Sequence, residues 1–358
     1  MDAGCLSSQQ MLTSLRTKIN SLPPTDSRRR PFQAIHEFVL ASLSYERSMK
    51  SSGRVHLPGP VNIEDFVMVL RQLVDREFIV PAPLIGNWND KIIGWELHHE
   101  NVFSDFLKFV TDLLIAQWTK FDEAKAKELV APFRQLMESD EHFEADIFTV
   151  NYDLIWETCF NTATEKTVET GFTGGRWTGE FDDPLSAAKV RLAKLHGSVD
   201  WFFDKEAEEV RGAGEPVDEP LIIFGSAYKM QSFDPFISLL SRFRSKLQDS
   251  SLYVIVGYSF QDRYINNILI QSLSSKLART AIVVDPNAKS SEDLSAQIEE
   301  TQASKSLNEM LNLKRVSPQR LEVVPMKAKD FYDDYLAGGA KKLREKVEKV
   351  EEGEPVFK

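Results

Sequence analysis

Cysteine is nearly absent from this chain. Its 358 residues hold two, Cys5 and Cys159, and no C-x-x-C pair. Two thiols cannot build a four-cysteine zinc module or the disulfide framework of a small secreted domain. Histidine supplies no substitute, because His98-His99-Glu100 lacks the H-E-x-x-H spacing; no metal site is expected. Long apolar runs are also lacking. No stretch reaches the roughly 18 apolar residues of a membrane-spanning helix. The N-terminus has no basic start followed by an apolar core, so no signal peptide is expected and the expected location is cytoplasmic. Surplus positive charge is the third absence. Lys and Arg total 43 against 54 Asp and Glu, for a formal charge of -11 and a pI of about 5.2. A protein that grips nucleic acid through its own field wants clustered cations, and Arg28 to Arg30 is the only short cluster near the start.

What is present is an ordinary globular composition, 42% hydrophobic and 27% charged. The length allows one large or two modest domains. The first third reads as helices. Met11, Leu12, Leu15 and Ile19 recur at helical spacing after a capping Ser7 or Ser8. Residues 31–46 place Phe32, Ile35, Phe38, Val39 and Leu43 on one side, and Asn62 is placed to cap IEDFVMVLRQLVDREF. Two more helices are predicted over 96–121 and 124–137.

From residue 147 strands alternate with helices, which predicts an α/β fold with a doubly wound, Rossmann-like parallel sheet and a large helical insertion in its N-terminal third. We expect one domain over 1–340, with 1–140 mostly helical and 141–340 forming the sheet core, and a charged tail over 341–358. LYVIV (252–256) is continuous enough to be a central strand covered on both faces. Residues 170–184 and 204–219 read as polar loops, and 221–224 as a short strand.

Three stretches share one form, a buried strand that stops in polar residues before a helix or tight turn. They are DIFTVNYD (146–153), RLAKLHGSVDW (191–201) and SLYVIVGYSFQD (251–262). Open α/β sheets place ligands at such corners. TVNYD, KLHGSVDW and VGYSFQDRYINNIL, in this order, resemble the sirtuin-like NAD-binding domain, and in particular its bacterial branch of NAD hydrolases in antiphage defence. VNIEDFVMVL in the helical part resembles that branch too. The likeness runs from near residue 3 to about residue 335.

The residues can be read beside that resemblance. Asn151 offers both donor and acceptor at a strand end; the resemblance makes it catalytic under the nicotinamide ribose, while the plain alternative is an Asx turn. His196, before the turn-forming Gly197, can take a proton from a hydroxyl; the family's matching His is catalytic. Asp153 either braces the first corner or touches substrate. Gly257, Tyr258 and Ser259 correspond to the segment lining the NAD pocket, where glycine lets backbone N–H groups approach a phosphate. Asp262 anchors that loop or caps the next helix. Asp285 and Asn287 sit where a carboxylate would hold the adenosine ribose.

The chain departs from the family pattern twice. Without four cysteines it cannot carry the zinc module usual in sirtuin deacylases, which favours NAD hydrolysis over deacylation. It also lacks the strand and GAGxS loop that hold the NAD diphosphate. DAGCLSS resembles the segment that follows that loop, so we expect the first strand and loop to lie upstream of Met1, leaving an edge at the sheet's centre unpaired. The resemblance implies an NAD hydrolase with NAD as substrate, working as a homo-oligomer or with a defence-system partner protein. The competing readings are a non-catalytic sensor of NAD or ADP-ribose, and an NAD-dependent deacylase.

Overall fold

The computed structural model describes residues 8–50, 61–75, 101–140, 142–161, 168–181, 188–223, 233–258, 260, 262–275, 279–286, 321–336 and 339–351. The chain separates into two compact units, one of residues 3–120 with 223–229, the other of residues 121–222 with 230–358.

The first unit is helical: α1 (Ser8–Ser21), α2 (Arg29–Lys50), α3 (Ile63–Asp75) and α4 (Val102–Trp118). The apolar stripes read from the sequence form its core. Met11, Leu15 and Ile19 of α1 are buried with Phe32, Ile35, Val39 and Leu43 of α2 and with Phe66, Val67 and Leu70 of α3. Phe106 of α4 lies 4.8 Å from Phe32 and 6.2 Å from Phe66, centroid to centroid. Asn62 caps α3 as expected, its Oδ1 accepting from the Asp65 N–H at 2.8 Å.

The second unit is α/β. After α5 (Glu123–Ser139) come β1 (Ala145–Thr149), α6 (Ile155–Phe160), β2 (Val168–Glu169), β3 (Phe172–Thr173), β4 (Arg176–Trp177), β5 (Val190–Lys194), β6 (Trp201–Asp204) and β7 (Glu209–Gly212). There follow α7 (Phe236–Asp249), β8 (Leu252–Val256), α8 (Arg263–Ser275), β9 (Thr280–Val284), β10 (Leu321–Val324), α9 (Ala328–Tyr335) and α10 (Lys341–Glu351). Two three-stranded sheets are wholly parallel, with orders β1-β5-β2 and β10-β9-β8. The fold is thus α/β, with parallel sheets behind a helical N-terminal region, as the sequence predicts. β9 is buried along its whole length, and Ile282 and Val284 pack with Val324 of β10 and Phe331 of α9.

Helix α7 serves both parallel sheets. Its Arg242 and Lys246 reach Asp146 of β1 at 2.7 and 3.0 Å, and its Phe243 ring packs at a tilt on Phe148, 5.0 Å between centroids. In its C-terminal half the Leu247 carbonyl accepts from the Tyr253 hydroxyl of β8, which also meets Ser272 of α8 at 2.8 Å. α5 is tied to the sheet by Lys189, whose Nζ donates to the carbonyls of Met137 (2.9 Å) and Asp140 (3.1 Å). A cation at these last orphan carbonyls satisfies the end of the helix.

Three expectations need correcting. LYVIV is not covered on both faces: among the described residues β8 is an edge strand, and Val254 is 39% exposed. Its continuous apolar run reflects composition, which cannot tell an edge from a centre. The two loops expected over 170–184 and 204–219 instead contribute to a four-stranded antiparallel sheet of order β3-β4-β7-β6. Its strands are two to four residues long, too short for alternation to register. The strand expected at 221–224 is a single bridge, Ile222 with Gly197.

In the helical unit His36 is 5% exposed, stacked on Phe66, and its Nε2 has no hydrogen-bond partner. Burial pushes its pKa down from 6.5 to about 4, with the charge of Arg16 adding to the effect. An unfolded chain takes up the proton first, so stability is full above pH 6.5 and falls as the pH drops towards 4. The loss amounts to roughly 3 kcal/mol by the lower limit. Urea melts at pH 7 and pH 4.5 should therefore show a smaller difference for His36→Leu than for the unaltered protein; equal differences would contradict this.

Candidate functional site

The parallel register brings the first two corners side by side. Thr149 pairs with Lys194 at the ends of β1 and β5, and the Leu195 N–H donates to the Thr149 carbonyl at 2.8 Å. Asn151 and His196 each stand two residues beyond that pair, at the carboxyl ends of adjacent strands. The corner of Asn151 is shaped by the Thr149 hydroxyl, which accepts from the Asn151 N–H at 3.0 Å and leaves Asn151 itself exposed. Asp153 turns inward. Its Oδ1 accepts from the Ile155 N–H at 3.0 Å and opens α6. Burial raises its carboxyl pKa, against the lowering effects of that N–H and of Lys194.

His196 is 5% exposed and its ring centroid lies 6.4 Å from that of Tyr152. Gly197 makes the turn possible. Its φ is +88°, and a Cβ there would stand 2.1 Å from the Leu221 carbonyl oxygen. Any side chain would be strained both by conformation and by contact.

The third corner closes on the second. His196 Nε2 lies 2.8 Å from Asp262 Oδ2, both side chains buried. The other carboxylate oxygen of Asp262 accepts from the N–H groups of Tyr264 (2.8 Å) and Ile265 (3.3 Å), the opening turn of α8. One carboxylate therefore caps a helix and orients an imidazole. An ionised carboxylate only accepts, so Nε2 carries a proton, and in the neutral imidazole the lone pair is then on Nδ1. The loop is held from within. The Tyr258 hydroxyl donates to Asn266 Oδ1 at 2.9 Å, and Asn266 Nδ2 donates to the Phe260 carbonyl at 2.7 Å. Gly257 (φ +62°) is exposed at the end of β8, with nothing within 4 Å of where its Cβ would be. Its own N–H is taken up by the Val284 carbonyl at 3.1 Å, so what the glycine leaves open is space where a side chain would stand.

Asp262, expected to anchor the third loop or cap its helix, is thus also in direct contact with His196. Asp285 follows β9, its N–H donating to the Val324 carbonyl at 3.2 Å. Ser259 and Asn287 lie outside the described residues. Sequence reasoning passed over Lys194, 1% exposed and bound to Asp153, Glu157 and Ser198. The signal was available: a lysine closing an apolar strand, VRLAK, is out of place unless it has partners. Among the described residues no three His, Cys, Asp or Glu side chains group closely enough to hold a metal ion. None of the described helices is long and apolar enough to cross a membrane.

The carboxyl ends of strands from two parallel sheets thus bring an Asn and a His–Asp pair together, the kind of corner where open α/β sheets place ligands. Residues 145–308, a little under half of the chain, match the family model of the SIR2-like domain. All three motifs fall inside that match, and the matching model is of the family that they resemble. No curated protein matches the chain.

The tight approach at Gly197 yields a direct test. Gly197→Ala should destabilise the protein by about 2 kcal/mol or more, read as a lower urea midpoint. An unchanged midpoint would mean that the turn is not as close as 2.1 Å implies.

Proposed function

We propose that this SIR2-like domain hydrolyses NAD at the nicotinamide–ribose bond, releasing nicotinamide and ADP-ribose. The observation that carries the reading is the buried His196–Asp262 pair, 2.8 Å apart, beside the strand end that presents Asn151. Cleavage sends the bonding electron pair to the nicotinamide nitrogen and leaves a cation-like ribose carbon. Water then bonds to that carbon and gives up a proton. The exposed amide of Asn151 holds the water or a ribose hydroxyl in place through its donor and acceptor. His196 Nδ1 takes the proton, and Asp262 keeps the imidazole in the tautomer that can do so and stabilises it once charged.

Gly257 and Tyr258, with Ser259, form the cofactor wall of the proposal, and Gly197 the floor of the second corner; Asp285 and Asn287 would hold the adenosine ribose. The zinc module of sirtuin deacylases needs four cysteines and the chain has two, which supports hydrolysis over deacylation. The setting we infer is cytoplasmic NAD depletion in antiphage defence, in a homo-oligomer or with a partner protein. This rests on the likeness of the motifs to the defence branch. The competing reading is a non-catalytic NAD or ADP-ribose sensor, in which the same corners hold the ligand without cleaving it.

Nicotinamide release from NAD separates the two. Asn151→Ala and His196→Ala should each lower kcat by roughly 100-fold or more, and Asp262→Asn, which leaves the imidazole in the wrong tautomer, by on the order of 10- to 100-fold. Full activity in Asn151→Ala would rule the mechanism out, and tight NAD binding without any release would favour the sensor.

A further inference from the structure

Lys194 is the most deeply buried charged side chain among the described residues, at 1% exposure. An ammonium in that position is costly unless acceptors surround it, and here they do. Its Nζ donates to the Asp153 carbonyl and to Ser198 Oγ at 2.7 Å, and pairs with Glu157 Oε1 at 2.9 Å. Three N–H donors meet three acceptors. Those acceptors lie on different elements: Asp153 in the corner of Asn151, Ser198 in the corner of His196, and Glu157 on α6. The Ser198 hydroxyl continues the link by donating to the Tyr152 carbonyl at 3.5 Å, and the Val199 N–H donates to the same carbonyl at 3.1 Å.

We propose that Lys194 is a positioning residue for the reaction: one buried cation clamps the Asn151 corner to the His196 corner and sets where the amide stands relative to the imidazole. The proposal rests on the hydrolase reading above. Lys194 touches neither Asn151 nor His196, and acts through the carbonyl of Asp153 and the hydroxyl of Ser198. Stability alone is a poor explanation for it, because apolar replacement of a buried ion pair is often neutral or better. The surroundings also need the cation. Glu157 Oε2 and Asp200 Oδ1 are buried without hydrogen-bond partners. Burial raises the Glu157 carboxyl pKa, Lys194 opposes that rise, and the charge of Asp200 adds to it.

The test removes the ion pair as a unit, so that neither member of the pair is left buried without the other. Lys194→Met/Glu157→Gln is compared with the unaltered protein by thermal melting, by NAD turnover, and by the NMR signals of the His196 imidazole. The expected result is a folded protein with a KM within about threefold of the original, a kcat lowered at least 30-fold, and His196 signals that shift or broaden. A folded variant with kcat within threefold and unmoved His196 signals overturns the proposal. If the double variant does not fold, Ser198→Ala decides by the same two readouts: it keeps the ion pair and the Asp153 contact but cuts the link to the second corner. A fivefold or larger loss of kcat with His196 shifted supports the clamp, and no change in either overturns it. If the unaltered protein releases no nicotinamide, the hydrolase reading fails, and the His196 signals alone decide whether Lys194 sets the corner.

Discussion

The contact between His196 and Asp262 is the one on which the rest of the site depends. His196 follows β5 in one parallel sheet and Asp262 follows β8 in another, and among the described residues no backbone ladder joins the two. A single 2.8 Å contact between buried side chains closes the distance at the carboxyl ends. α7 does the same for the strands themselves, its C-terminal half touching Asp146 and Phe148 of β1 and Tyr253 of β8. Breaking one partner of such a pair is expensive because the other is left uncompensated. The pair therefore fixes the geometry between the second and third corners.

The first two corners are held more firmly than the third. β1 and β5 share a continuous register, the Leu195 and Val199 N–H groups cross between the corners, and Lys194 binds both from below. The third corner is built from short-range contacts within its own loop, Tyr258 to Asn266 and Asn266 to the Phe260 carbonyl. Gly257 stays open beside them. A buried His–Asp pair thus stands beside a loop held mainly by its own short-range contacts.

Much of this was legible in the sequence, for reasons that can be named. The α1 to α3 stripes were read because a buried helical face repeats every three to four residues, and Asn62 because a cap has a short-range signature. The three corners were read because a strand that ends in polar residues is a local event. The His196–Asp262 contact was not legible, because 66 residues separate the partners and either one alone has an ordinary explanation. The antiparallel sheet was hidden by strands as short as Phe172–Thr173. Val254 looked central because apolar composition does not record which neighbours a strand finds. Lys194 closes β5 as the sequence predicts, but its three partners on separate elements are not visible in the strand pattern.

The central claim is that the joined corners direct water onto the ribose carbon of NAD. Turnover in water enriched in oxygen-18, with the products analysed by mass, tests it most directly. The account predicts nicotinamide together with ADP-ribose carrying one heavy oxygen. Intact NAD after prolonged incubation, or a product without the label, would contradict it.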